Sequence, residues 1–404
     1  MSEESGTMIF LKETGMKELF KRSLTTLKPL AGELVILGLV LAIWLAATVS
    51  HAATGATGPQ GYGLKIFRVE SALYPFVHVY VRTFDQEMNP LVNLNVLNIG
   101  VMVEGRAYDP KKKQYLIQPI RSREEATRTV LVLDTNKSLK GADFEAMVRA
   151  AARFIDAKRP QDQVAILALD ASSEGYTVLS NFDREPGILG RRLADLQPRG
   201  EKTRLYDGVA AAMQMAGGAV GGDSSSDVDY IVSTSILVLS SGKDDDSAIN
   251  RSDLMTRISS LKIPVPIYSL CFTGAEGKDQ RNLQALSKNS FGKYYPIGGT
   301  YDTITRSIED IQNTMQSDYV LTFRSYIPVD GEKHTVKIGV EYPTGSGIMY
   351  YDTSTFETIE PPTFPRILEA QQKIDKALPA LKNEELYLRN PFAPVAGPPA
   401  PIKN

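Results

Sequence analysis

Thr127 to Asp134 reads TRTVLVLD and Gln163 to Asp170 reads QVAILALD. Each is a short continuous apolar run closed by an aspartate, the pattern of a strand buried on both faces of a parallel sheet. Between them, Phe144, Met147, Val148, Ala151 and Phe154 recur at helical spacing, so Asp143 to Ala157 reads as an amphipathic helix. The rhythm continues for nearly two hundred residues. Strand GYTVLSNF follows, then helix Glu185 to Leu196, the loop Arg199 to Lys202 and helix Thr203 to Ala216. Strand STSILVLSS, helix Ser252 to Leu261, strand VPIYSLCF, helix Gln280 to Ser287, short strand GKYYPI and helix Tyr301 to Met315 complete the series. Buried strands alternating with amphipathic helices predict a doubly wound α/β domain with a mainly parallel sheet and right-handed crossovers. Ligands of such sheets bind at the carboxyl ends of the strands, which directs attention to the residues just after each one.

Outward from this unit the period changes to two. PFVHVYVRTF, VNLNVLNIGVMVEG and QYLIQPI precede it, and SDYVLTFRSYIP, HTVKIGVEYP and IMYYDTSTF follow it. In VHVYVRTF, Val77, Val79 and Val81 share one face and His78, Tyr80 and Arg82 the other, as in a strand with one side in a core. Asp109 to Lys113 reads as a turn, and Asp330-Gly331 and Thr344 to Gly347 read as hairpin turns between alternating runs. Neither set of strands could alone cover both faces of a sheet. The expectation is one β-sandwich, from residues 66–125 and 318–360, with the α/β domain of residues 126–317 inserted into it; separate small β-domains are the alternative.

Leu34 to Val49 carries no charge, and with Leu30 to Glu33 it approaches the ~20 residues that cross a bilayer. Lys12, Lys17, Lys21, Arg22 and Lys28 precede it and no basic residue follows until Lys65, so residues 1–29 are expected in the cytoplasm and residues 30–50 as a single transmembrane helix. A cleaved signal peptide ending near Ser50-His51-Ala52 is the alternative, although thirty polar residues are long for such a signal. Residues 51–65, small, Gly-rich and nearly uncharged, read as a flexible tether. The remaining 361–404 segment combines a helical stretch, Phe364 to Leu381, with a Pro-rich end that reads as a disordered terminus or, as the alternative, a recognition peptide with Phe392 as its candidate residue.

Composition narrows the function. Lys plus Arg is 45 against 47 for Asp plus Glu, a net charge of −2, so no broad positive field exists to gather nucleic acid. One cysteine and three histidines leave neither an internal disulfide nor enough ligands for a Cys/His zinc cluster. Gly200 to Thr203 (GEKT) lacks the upstream glycine of a P-loop, and Gly345-Ser346-Gly347 has no nucleophile-elbow spacing. No catalytic residue is assigned.

Three segments carry the site. Asp134-Thr135-Asn136-Lys137-Ser138 follows the first strand, Thr203 opens the TRLYDG helix, and Ser240-Ser241-Gly242-Lys243-Asp244-Asp245-Asp246 follows the fourth strand. In this order on this alternation, residues 127–315 resemble the von Willebrand factor type A domain. More loosely, the flanking β-segments resemble those of bacterial exported, membrane-anchored proteins of that family. The resemblance implies a metal-ion-dependent adhesion site with Asp134, Ser138 and Thr203 at ligand positions, Asn136 in place of the family's first serine and Ser241 in place of its second aspartate. A hard cation wants six oxygens with enough negative charge, so a set with one retained carboxylate is expected to be degenerate and to bind Mg²⁺ weakly or not at all. Lys137 and Lys202, with Asp207 and Asp244, would then form a rim facing a partner. The implied function is interaction with or scaffolding of other envelope proteins from the bacterial inner membrane, through one helix and without nucleic acid. A divalent-metal-dependent adhesin is the alternative, and an enzyme a distant third.

Overall fold

A computed structural model describes residues 63–378, apart from 138, 219–230, 262–263, 273–276 and 298–300. The expected cytoplasmic segment, the expected span at 30–50, most of the tether, Ser138, Phe392 and the Pro-rich end lie outside the described residues. Among the described residues no helix is long and apolar enough to cross a membrane.

The chain opens with β1 (Gly63–Leu73), β2 (Phe76–Phe84), β3 (Ile99–Val103), β4 (Arg106–Ala107) and β5 (Tyr115–Pro119). The α/β unit follows: β6 (Ala126–Asp134), α1 (Ala142–Ala157), β7 (Gln163–Leu169), β8 (Tyr176–Asp183), α2 (Pro186–Ala194), α3 (Leu205–Gly218) and β9 (Ile231–Ser240). It continues through α4 (Arg251–Ser260), β10 (Ile267–Cys271), α5 (Gly277–Asn289), β11 (Tyr294–Pro296) and α6 (Tyr301–Gln316). Last come β12 (Tyr319–Arg324), β13 (Lys333–Glu341), β14 (Met349–Glu357) and α7 (Pro365–Asp375).

One six-stranded sheet runs β11-β10-β9-β6-β7-β8, parallel except for β8, which lies antiparallel to β7 at the edge. Alternation along β6 divides the core. Leu131 and Leu133 pack with Met147 and Phe154 of α1 and Ile308 and Ile311 of α6. Val130 and Val132 pack on the other face with Leu205 and Val209 of α3 and Leu254 of α4. Helix α3 approaches the sheet so closely that a Cβ at Gly208 would lie 2.1 Å from a Leu169 methyl carbon.

The flanking strands form two four-stranded sheets, β1-β2-β12-β5 and β14-β13-β3-β4, each drawing strands from both sides of the α/β unit. Val77, Val79 and Val81 meet Val101, Val336, Ile338 and Val340 in a shared core. Three expectations need correction. β1 starts at Gly63, inside the stretch read as tether; its Lys65, Arg68 and Glu70 break the apolar alternation because they occupy the partly exposed side of an edge strand. All nine residues of β2 are buried, because the face bearing His78, Tyr80 and Arg82 is also covered. Asp330-Gly331 is no hairpin: β12 is already paired on both edges, with β2 and β5, so the chain crosses to the other sheet before β13 begins. The turn Thr344 to Gly347 does join paired strands, β13 and β14.

Two ion pairs fix the α/β unit where the chain enters and leaves it. At the entrance, Arg159 pairs with Asp162 at 2.8 Å and donates to the carbonyls of Ile120, Arg123 and Glu125. At the exit, Arg82 grips Asp318 through two bonds of 2.7 Å. Burial, the largest single influence, disfavours the guanidinium charge, but the Asp318 carboxylate and Tyr268 outweigh it and hold Arg82 above its ordinary pKa.

Candidate functional site at the carboxyl edge of the parallel sheet

Parallel pairing sets Leu133 beside Leu239, so β6 and β9 end level with each other, in Asp134 and Ser240. The loop after β6 is zipped to the loop before α3. Lys137 N–H donates to the Gly200 carbonyl at 2.7 Å, Arg199 N–H to that of Thr135 at 2.9 Å, and the Thr135 hydroxyl to Leu169 at 2.6 Å. Thr203 is in turn held to the loop after β9: its amide donates to the Asp245 carboxylate at 3.0 Å, and Asp245 N–H donates to its carbonyl at 2.8 Å. Gly242 makes this loop possible. Its φ of +83° suits glycine, and a Cβ there would lie 2.3 Å from the Asp279 carbonyl oxygen.

Asp134 is fully buried at the centre. One of its oxygens accepts from the Ser240 hydroxyl at 2.7 Å and from that of Ser241 at 3.5 Å. The other accepts from the Asn136 amide N–H at 3.1 Å and the Thr203 hydroxyl at 3.5 Å. The Asn136 side-chain nitrogen donates to the Thr203 hydroxyl at 2.7 Å. Burial pushes the Asp134 pKa up from the ordinary carboxylate value, against the opposing hydrogen bonds from Ser240, Asn136 and Ser241.

Asp134, Asn136 and Thr203 therefore converge, and the Ser241 hydroxyl lies as near to Asp134, at 3.5 Å, as the Thr203 hydroxyl does. The nearer hydroxyl, that of Ser240, is one that sequence reading passed over; the signal for it was register, since both strands end at the same level. The rim residues divide. Lys137 pairs with Glu201 at 3.0 Å and Lys202 with Asp246 at 3.3 Å, all exposed, and Lys243 pairs with Asp245 at 2.8 Å. Asp207 and Asp244 hold the fold together instead of facing outward. The Asp207 carboxylate accepts from the amides of Ala248 and Ile249, and that of Asp244 from Tyr206 N–H and the Ser247 hydroxyl.

This donor set suits a hard divalent cation poorly. One carboxylate is present at the focus, its oxygens already accept hydrogen bonds, and an Asn136 N–H donor points at the Thr203 hydroxyl. The next carboxylate, Asp245, is bonded to the Thr203 amide and the Lys243 ammonium. Among the described residues no three His, Cys, Asp or Glu side chains gather to hold a metal ion.

No curated protein shows significant similarity to the chain. Among solved structures, a von Willebrand factor type A protein from Catenulispora acidiphila is 10% identical, with a TM-score of 0.41 over 77% of this chain and 76% of that one. The vWF domain of the type V pili tip protein Mfa5 from Porphyromonas gingivalis is 11% identical, with a TM-score of 0.35 over 48% of this chain and 96% of that one. A sequence model of the von Willebrand factor type A domain matches residues 129–243. That stretch starts within β6 and ends just past β9, and so includes Asp134, Asn136, Thr203, Ser240 and Ser241. The α/β unit of this chain is a von Willebrand factor type A domain.

Proposed function

We propose that this protein is an interaction or scaffolding module of a bacterial cell envelope, binding another envelope protein through the rim around Asp134 with weak or no dependence on Mg²⁺. The observation that carries the reading is the solvation of Asp134: a buried carboxylate at the strand ends, held by hydroxyl and amide donors and flanked by Lys137, Lys202 and Lys243. A divalent cation there would face one carboxylate where such oxygen sites draw affinity from several. The rim instead offers exposed ammonium groups in labile pairs with Glu201 and Asp246, which a partner's carboxylates could exchange for their own. The uncharged stretch at 34–49, with basic residues before it, supports placing the chain on the inner membrane with residues beyond the span outside the cytoplasm. No feature of the site calls for catalysis.

The test is co-purification of the full chain from native membranes with Mg²⁺ or with EDTA. Equal partner recovery in both, reduced by Lys202→Ala, supports the proposal. Loss of the partner in EDTA overturns it in favour of a metal-dependent adhesin. The convergence of Asp134, Asn136 and Thr203 is the observation favouring that second reading. Calorimetry with Mg²⁺ or Mn²⁺ addresses it directly, because an adhesin of that kind should release or absorb heat and shift its melting temperature.

A further inference from the structure

β13 runs the length of the sandwich, from Lys333 to Glu341, and so defines its two ends. At the Glu341 end stand the turn Thr344 to Gly347 and, because Ile99 pairs with Val340, the segment 92–98 that leads into β3. The Asn98 side-chain amide donates to the Thr344 hydroxyl at 2.9 Å and ties the two together. Asn95 and Asn98 cap the short turn Val96–Asn98 reciprocally, and the Tyr115 hydroxyl donates to the Val96 carbonyl at 2.9 Å, so the segment is braced from within. Val92, Leu97 and Ile348 are nevertheless exposed here, at 59%, 60% and 54%. One exposed aliphatic side chain is ordinary, but several on neighbouring loops mark a surface that meets something apolar. The short turn Pro110–Lys112 lies against Val96–Asn98 and brings Lys111, Lys112 and Lys113 to the same place, all exposed and in no ion pair among the described residues. The Lys333 end exposes Val329 and Ile359 too, but beside the exposed carboxylates of Asp330, Glu332 and Glu360.

We propose that the end of the sandwich bearing Val92, Leu97 and Ile348 docks on an anionic phospholipid surface, with these three side chains in the headgroup layer and Lys111, Lys112 and Lys113 against its phosphates. Apolar side chains gain by leaving water at that interface, and ammonium groups are drawn to its negative potential, so the two effects add. Charge also chooses between the two ends, because the same surface repels Asp330, Glu332 and Glu360 at the other. The place where the chain enters the sandwich points to the same occupant. Gly63 pairs with Phe84, the residue from which the chain sets out towards Val92, and residues 51–62, between Gly63 and the uncharged stretch, span at most ~40 Å at full extension. In this the docking rests on the membrane-anchored reading of residues 30–50, which brings a bilayer within reach.

The experiment uses the full chain reconstituted into vesicles of phosphatidylcholine with or without phosphatidylglycerol. A fluorophore is attached at Leu97→Cys, the native Cys271 being buried, and quenching by a lipid-borne nitroxide reports whether position 97 reaches the headgroups. Several-fold quenching is expected with phosphatidylglycerol and little without it, and a probe at Val329→Cys should show little in either. Lys111→Glu, Lys112→Glu and Lys113→Glu together should remove the quenching without moving the unfolding temperature, since all three are exposed. Each lysine near such a surface strengthens binding roughly fivefold, so the three together should account for a factor on the order of 100. No quenching at 97 with phosphatidylglycerol, equal quenching at 329, or quenching that survives the charge reversal overturns the proposal. A probe shielded in native membranes but not in phosphatidylglycerol vesicles overturns it too, and assigns the surface to a protein. Extraction with alkaline carbonate tests the anchor separately. A chain that it strips from vesicles in which position 97 was quenched keeps the docking and loses the membrane-spanning reading, whereas a chain that resists it and shows no quenching loses the docking alone.

Discussion

Asp134 and Asp318 are both buried aspartates, and they are solvated in opposite ways. Asp318 faces a full positive charge, with both oxygens bonded to the Arg82 guanidinium at the seam between sandwich and α/β unit. Asp134 faces hydroxyls and an amide at the end of a strand. A buried carboxylate opposite a guanidinium is a fastening: its charge is answered and the geometry leaves nothing for a third party. A carboxylate held by neutral dipoles keeps its charge unanswered, and its donors belong to three separate loops, so it organises a rim.

Breaking the fastening should have the largest effect. Arg82→Ala strands Asp318 without its counter-charge and also removes a cation stacked over Phe67. Loss of one partner of a buried pair costs about 3–5 kcal/mol. Chemical denaturation should show that loss; a change below about 1 kcal/mol would mean that water reaches Asp318 and that the seam is not a fastening.

His78 sharpens the comparison, because it is buried with neither a full counter-charge nor a loop site. Its Nδ1 lies 2.7 Å from the Thr322 hydroxyl on the neighbouring strand. Burial, assisted by Arg123 and opposed by Glu125, lowers its pKa to about 4. The folded protein therefore binds a proton less readily than the unfolded chain. Stability is full above pH 6.5 and falls as pH drops from there towards 4, by about 3 kcal/mol at most from this group. His78→Gln should flatten that slope, which urea midpoints measured across the interval would reveal.

Asp134 titrates with the opposite sign. Burial raises its pKa, so its stabilising contribution is present below the unfolded value near 3.8 and is lost as pH rises through the folded value. Asp134→Asn should lessen the decline of stability across that acid range. Asp134→Ala should cost about 1–3 kcal/mol, since it leaves the Ser240 hydroxyl and the Asn136 amide without their acceptor. If the alanine variant proved as costly as Arg82→Ala, the two carboxylates would be doing the same job.

How much of this was legible before any coordinates follows from period. TRTVLVLD and QVAILALD announce strands covered on both sides, and the helical spacing of Phe144, Met147, Ala151 and Phe154 announces what covers them. Both signals are local, so the alternation was readable. What failed depended on distance in sequence. Nothing in Asp330-Gly331 shows that β12 has both edges occupied by β2 and β5. GLKIFRVESAL hides a strand because its exposed side carries charge. In the site, the resemblance to the von Willebrand factor type A domain picked out Asp134, Asn136, Thr203 and Ser241, but it could not choose between adjacent serines. Only the level ending of β6 and β9 puts Ser240, and not Ser241, closest to Asp134. The same limit applied to Asp207 and Asp244, whose acidity suggested an outward role until their backbone partners were known.

The smallest stability effect belongs to the rim itself. Lys137 and Glu201 are both largely exposed, and water with its ions screens such a pair until it contributes little to folding. Lys137→Ala should therefore leave the melting temperature within error of the unsubstituted chain while weakening capture of an acidic partner, more so at low salt than at high. That divorce between stability and binding is what separates a rim from a fastening. A Lys137→Ala protein that melted several degrees lower yet captured partner normally would place Lys137 with Arg82 among the residues that hold the molecule together, and would move the search for the contact surface away from Asp134.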